Sequence, residues 1–160
     1  MTRQAANGGR EGRGAEDRRS LRLDDQLCFA LYAALGAMKS RYRPLLDEIG
    51  LTYPQFLVML VLWERGSSTV KEITAALGLD YGTLSPLLKR LEALGLVRRE
   101  RRSDDERSVN IVLTDAGIAL QEPAAHAREA VACLTDLPPA DFAELRAKLT
   151  ELTASLAAET

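Results

Sequence analysis

Residues 69 to 114 constrain the fold more tightly than any other stretch of the chain. Thr69-Val-Lys-Glu72 has the form of a capping box. The threonine hydroxyl accepts from the amide three residues on, and the glutamate reaches back to the threonine's amide. A short helix follows to Leu77, and Gly78 ends it. Asp80 opens the next segment. Its apolar residues Leu84, Leu87, Leu88, Leu91 and Leu94 fall on one helical stripe, and Gly95 caps its end. Two short helices joined by a tight glycine-containing turn form a helix-turn-helix. Residues 96–102 and 109–113 come next, with Val109, Ile111 and Leu113 alternating as in a strand. They flank the polar stretch Ser103-Asp-Asp-Glu-Arg-Ser108. Strand, polar turn and strand directly after a helix-turn-helix make a wing.

The flanking segments read as helices. Residues 1–22 place Gly8, Gly9, Gly12 and Gly14 among charged residues, a composition that buries no core and predicts a flexible tail. From Leu23, apolar or amphipathic residues recur every three or four positions through Leu27, Leu31, Leu35, Met38, Tyr42, Leu45 and Ile49. This is the spacing of a long helix that Pro44 kinks or ends and Gly50 stops. Thr52-Tyr-Pro-Gln55 is a second capping-box pattern, followed by a largely apolar helix from Phe56 to Trp63. Thr114 is expected to cap another long helix, bent at Pro123. Pro138-Pro139 separates it from a last helix carrying Phe142, Leu145, Leu149, Leu152 and Leu156. That seam suits a helical dimer interface or an intramolecular core, and pattern alone leaves both open. Only 5% of residues are aromatic, so leucine and alanine must build most of the core. The expected class is all-α with a small β-wing. One domain spans 23–160, with a winged helix-turn-helix over 52–114 and mainly dimerisation helices at 23–50 and 115–158.

A net charge of −2 argues against a nucleic-acid binder, but the distribution of charge argues for one. The stretch 85–102 carries Lys89, Arg90, Arg98, Arg99, Arg101 and Arg102 against Glu92 and Glu100 alone, whereas 114–160 carries eight acids against three bases. A solvated charged face is the bland alternative. Opposite the leucine stripe the second short helix presents Gly82, Ser85, Pro86 and Lys89, with Thr83 and Arg90 on its flanks. Small hydroxyl residues enter the major groove without steric cost, and Lys89 and Arg90 reach phosphates or guanine edges. On the wing turn, Arg107 suits the negative potential of a narrow minor groove. Asp105 either sets that arginine or is a simple turn residue. A homodimer would place two such helices about one helical turn apart on a pseudo-palindromic duplex.

Other classes find little support. The cysteines are Cys28 and Cys133, the one histidine is His126, and no Cys-x-x-Cys pair occurs, so neither a zinc site nor a cofactor is expected. No apolar run approaches the roughly 20 residues of a membrane span, and the N-terminal residues lack the apolar core of a signal peptide. A cytoplasmic protein with reduced thiols is expected. Taken alone, Cys28 in an apolar helix reads as a packed core thiol or as a reactive one.

The wing sequence Asp105-Glu-Arg107-Ser-Val-Asn-Ile-Val-Leu-Thr114 and the order of helices resemble the MarR-type repressors over about residues 23–158. Four segments resemble, more narrowly, the organic hydroperoxide resistance repressors. They are Leu27-Cys28-Phe-Ala-Leu-Tyr32, Tyr42-Arg-Pro-Leu-Leu-Asp47, Leu51-Thr-Tyr53-Pro-Gln-Phe56 and Gly82-Thr-Leu-Ser-Pro-Leu-Leu-Lys-Arg90. Phe56 departs from the group, where tyrosine is common. The resemblance implies a DNA-binding repressor, not an enzyme, with Cys28 as peroxide sensor. It implies that Tyr42 and Tyr53 hydrogen-bond the sensor sulfur from the other subunit, and that Tyr32 belongs to the same motif. For Cys133 it implies resolution of oxidised Cys28 into an intersubunit disulfide; a packed thiol, with Cys28 capped by a small cellular thiol, is the alternative. Chemically, free amides at a helix start favour an anionic sulfur and Asp24 and Asp25 oppose it, so hydroxyl donors are needed. Apolar neighbours such as Phe29, Leu31 and Met59 would favour organic hydroperoxides as inducer. A repressor released by a small phenolic ligand is the rival reading. A thiol peroxidase would need recycling, and the chain carries no redoxin motif.

Overall fold

The computed structural model describes residues 21–101, 109–135 and 137–158, and within them helix ends fall largely where capping chemistry puts them. After a 3-10 turn at Leu23–Asp25 come helix α1 (Leu27–Glu48), α2 (Tyr53–Arg65), strand β1 (Ser67–Thr69), α3 (Val70–Leu77) and α4 (Tyr81–Ala93). The wing strands β2 (Val97–Arg101) and β3 (Val109–Leu113) follow, then α5 (Asp115–Ala119), α6 (Gln121–Cys133) and α7 (Pro139–Ala157). At the start of α2 the Gln55 side chain accepts from the Thr52 amide at 2.8 Å. At the start of α3 the box is reciprocal: the Thr69 amide donates to Glu72 at 2.7 Å, and the Glu72 amide to the Thr69 hydroxyl at 3.2 Å. Gly78, after α3, has φ +63°, and Gly95, after α4, has φ +71°; both lie in the left-handed region that glycine enters without a Cβ penalty.

Two helix expectations are corrected. Pro44 does not end α1. Tyr42 and Leu46 on either side of it are buried, and packing holds the helix through the lost amide. The helix after Thr114 is not one rod bent at Pro123. It breaks three residues earlier, at Leu120, and restarts with Pro123 in the first turn of α6, where a missing N–H costs least. The sheet also holds a strand that periodicity does not announce. Ser67-Ser-Thr69 has no apolar alternation and is a strand only because it pairs antiparallel with β3, in the order β1-β3-β2.

One core unites the reading head with the C-terminal half of α1. Leu46, Leu51, Phe56, Met59, Leu62, Ile73, Leu84, Leu88, Leu91 and Ile111 are all essentially inaccessible. The rest of α1 behaves differently. Leu27 and Leu35 are exposed, as is Leu23 in the 3-10 turn before the helix, although the stripe predicts a buried face. No residue of α7 is buried, and Phe142, Leu145, Leu149 and Leu156 are all exposed. The single chain therefore does not build an intramolecular core from its terminal seam; α7 meets α1 along a shallow groove lined by Met38, Phe142, Leu145 and Leu149.

Candidate functional site

The second short helix of the helix-turn-helix, α4, is anchored by its leucines and capped by Asp80. Leu84, Leu88 and Leu91 are buried, which fixes the opposite face outward. Asp80 accepts from the Thr83 amide at 2.8 Å and from the Thr83 hydroxyl at 2.7 Å. These bonds from the Thr83 side chain and backbone hold the Asp80 carboxyl below its ordinary range. The Thr83 proton is thereby committed to the cap, and toward a duplex Thr83 offers its methyl group and its remaining lone pairs. Thr83, Lys89 and Arg90 are exposed, and Ser85 is half-buried. Arg99 of β2 bonds Glu92 of α4 at 3.3 Å, tying the wing to the helix, while Arg98 pairs with Glu100 at 2.6 Å. Asp105 and Arg107 lie outside the described residues.

The thiol residues fall into two groups. Cys28 is the second residue of α1, free and exposed, with exposed Tyr32 one turn later. Gln26, the residue before the helix, donates its amide to the Arg22 carbonyl at 3.0 Å rather than capping α1. Tyr42 and Tyr53 form a separate pair, their ring centroids 5.3 Å apart, packed on Phe56 at 5.6 and 6.4 Å. Burial raises both phenols above their ordinary value. For Tyr42 the neighbouring Tyr53 adds to the rise and Arg128 opposes it. A phenol is protonated at neutral pH in any case, so both hydroxyls can donate, and burial extends that state to higher pH. Phe56 is itself 2% exposed, so a hydroxyl there would need a partner deep in the core. Along α1, Cys28 and Tyr42 are separated by about 21 Å at 1.5 Å per residue. The fold brings Tyr42 and Tyr53 together and leaves Cys28 and Tyr32 of the same chain far from them. Cys133 ends α6, free and exposed. Among the described residues no cluster of three or more His, Cys, Asp or Glu side chains could hold a metal ion.

Sequence reasoning missed a bracket joining these parts. The Trp63 indole donates to the Gly117 carbonyl at 2.8 Å, and Phe56 stacks edge-on to Trp63 at 6.3 Å. Thr114 donates its hydroxyl to the Gly95 carbonyl at 2.6 Å and its amide to the Leu96 carbonyl at 3.1 Å. A Cβ on Gly117 would lie 2.1 Å from the Leu96 carbonyl oxygen, so only glycine lets α5 approach so closely. The glycine was visible in the sequence, but its partner was not. Between α2 and α6 lies a cavity of about 450 Å³ lined by Phe56, Leu60, Trp63, Glu64, Ala124 and Arg128.

Known proteins bear on this geometry. The family model of the SarA/Rot transcriptional regulators matches residues 40–122. The organic hydroperoxide resistance transcriptional regulator of Bacillus subtilis (strain 168) is 43% identical over 136 residues, 85% of this chain and 92% of that protein. The regulator TtmR of Methylorubrum extorquens (strain PA1) is 58% identical over 108 residues, 68% of this chain; the chain spans 54% of TtmR's length. AbfR of Staphylococcus epidermidis, solved in its reduced form bound to DNA, is 38% identical with a TM-score of 0.71, covering 86% of this chain and 94% of that one. Disulfide-formed AbfR is 37% identical with a TM-score of 0.63, covering 90% and 99%. Sequence and fold agree: the chain belongs to the MarR-type winged helix-turn-helix transcriptional regulators, the DNA-binding family that includes the SarA/Rot and organic hydroperoxide resistance regulators.

Proposed function

We propose that this regulator is a homodimeric repressor that organic hydroperoxides release from DNA by oxidising Cys28. The observation that carries the reading is the Tyr42–Tyr53 pair: two phenols with ring centroids 5.3 Å apart, brought together by the fold and remote along α1 from their own chain's Cys28. In this reading their partner comes from a second copy. The exposed apolar faces of α1 and α7 are the surfaces on which one would dock. In that dimer the tyrosine hydroxyls donate to the partner subunit's Cys28 sulfur and stabilise its thiolate, the nucleophilic form. The thiolate attacks the terminal oxygen of ROOH. An S–O bond forms, the O–O bond breaks, sulfur is oxidised to sulfenic acid, and the departing alkoxide takes a proton to become the alcohol. Cys133 of the partner subunit then condenses with the sulfenic acid, giving a disulfide and water. A disulfide needs Cα atoms within about 7 Å, so closing it draws α1 and α6 together and moves the reading heads that Arg90, Lys89, Ser85 and Thr83, with Asp105 and Arg107 on the wing, bring to the duplex. That AbfR has been solved both reduced on DNA and with a disulfide formed supports this reading.

Trapping of sulfenic acid over time, with non-reducing gels, tests the chemistry. Tyr42→Phe with Tyr53→Phe is expected to slow Cys28 oxidation by an organic hydroperoxide at least tenfold. Cys133→Ser is expected to abolish the disulfide-linked dimer. An unchanged oxidation rate in the double tyrosine variant would remove the pair from the mechanism.

A second reading rests on the cavity beside Trp63. Its aromatic floor and the Arg128 guanidinium suit a small phenolic acid that would release DNA by binding. Cys28→Ser separates the two, since a ligand sensor still responds and a peroxide sensor stays on DNA.

A further inference from the structure

A second cleft, of about 660 Å³, opens on the reading head between α3, the start of α4 and the base of the wing. Its charged and aromatic lining comes from three elements: Lys71 on α3, Asp80 and Tyr81 at the start of α4, and Arg99 on β2. Among the described residues no carboxylate lies within ion-pair distance of Lys71. Among the described residues Asp80 is the one acid in the lining, and both its oxygens accept from Thr83, which turns its charge onto the first turn of α4. The wing strand is asymmetric. On its outer face Arg98 and Glu100 neutralise each other at 2.6 Å, while Arg99 and Arg101 alternate onto the other face, where Arg99 lines the cleft with its Nε bonded to Glu92 of α4 at 3.3 Å. Tyr81 is 63% exposed, an aromatic with a free hydroxyl beside the end of α4 that carries Thr83. Among the described residues the site offers one unpaired ammonium, one guanidinium anchored to Glu92 through its Nε, one neutral donor and one committed acid, a set that fits a diester phosphate. It also borders the end of α4 from which base edges would be read.

We propose that this cleft seats the phosphate backbone of one DNA strand, with Lys71 and Arg99 as its cationic walls and the Tyr81 hydroxyl as a neutral donor. The inference rests on DNA binding and is independent of the peroxide chemistry. Phosphate contacts position a protein on the duplex without reading sequence, and each neutralised phosphate steepens the salt dependence.

Fluorescence anisotropy of the full-length protein tests it, using a duplex of its own upstream DNA and a scrambled duplex of equal length, from roughly 50 to 200 mM salt. Lys71→Ala is expected to weaken both duplexes by the same factor, severalfold, and to flatten the slope of log affinity against log salt by about 0.9 per subunit contact. Lys71→Arg restores the slope, and Arg99→Ala flattens it likewise. Tyr81→Phe weakens both duplexes and leaves the slope intact. Organic hydroperoxide still releases the residual Lys71→Ala complex if the proposed sensing holds, so the two readings fail separately. A wild-type slope in Lys71→Ala, with its melting curve unchanged, overturns the phosphate seat. So does a loss confined to the upstream duplex, which marks a base contact instead.

Discussion

At the scale of single residues the environment decides what each polar group can do. Tyr42 and Tyr53 are protonated at neutral pH like any phenol, and burial, which penalises their phenolates, extends that state to higher pH. Folded-state values raised above 10.0 mean that these two groups cost no stability below that pH, and that stability falls as pH rises from 10.0 through the folded values. The chain has four tyrosines, so Tyr32→Phe with Tyr81→Phe leaves only this pair to titrate. Tyrosinate absorbance in that variant is expected to rise with a midpoint above 10.0; a midpoint at or below it contradicts the buried pair. Asp80 runs the opposite way. Its depressed carboxyl supports folding above its ordinary value of 3.8 and loses that support as pH falls through the lower folded value. Thr83→Val removes the main cause, so the Asp80 carboxyl resonance should titrate at higher pH than in the wild type; an unmoved titration would remove the Thr83 hydroxyl from the cap. The cap itself was legible, since an aspartate before a helix is a local signal. That Thr83 spends its proton on Asp80 was not, because it depends on rotamers.

At the scale of elements, short-range signals carried far and long-range contacts did not. Capping boxes at Thr52 and Thr69 and glycines at 78 and 95 mark helix ends because the chemistry involved spans only three or four residues. The strand at Ser67–Thr69 exists through its partner Ile111 and Asn110 backbone, far along the chain, and leaves no periodic trace. The break at Leu120 follows from Pro123 acting on the turn before it, which shifts the boundary away from the proline. The Trp63–Gly117–Leu96 bracket clamps α2, α5 and the end of α4 into one block. Gly117→Ala must push α5 off the Leu96 carbonyl and is expected to cost about 1–3 kcal/mol. Trp63→Phe loses one hydrogen bond and some packing, about 1 kcal/mol or more. Urea unfolding reads both; a Gly117→Ala midpoint equal to wild type would show that α5 can retreat freely.

At the scale of the whole molecule the single chain leaves apolar helix faces uncovered. Leu23 in the 3-10 turn, Leu27 and Leu35 on α1 and the Phe142–Leu156 seam on α7 are exposed apolar residues that a second copy would cover. The periodicity of both helices was plain in the sequence, but whether their faces turn inward or toward another chain was not, because burial against a partner and burial against oneself leave the same pattern. Leu145→Asp with Leu149→Asp is expected to sediment as a monomer of 17.5 kDa and to lose DNA affinity severalfold or more, whereas a variant that keeps the wild-type mass would place the interface elsewhere. The thiol site was legible only through resemblance. Cys28 and Tyr42 lie on one helix; in the proposed dimer they meet across copies, a relation that no spacing within a chain encodes.

The central claim is that Cys28 is the input and α4 the output. Its most direct test is the anisotropy of the dimer on its upstream duplex, titrated with an organic hydroperoxide, for wild type and Cys28→Ser. The account predicts that wild type leaves the duplex, that a thiol reductant returns it, and that Cys28→Ser stays bound throughout. Release of Cys28→Ser at the same hydroperoxide concentration would contradict it.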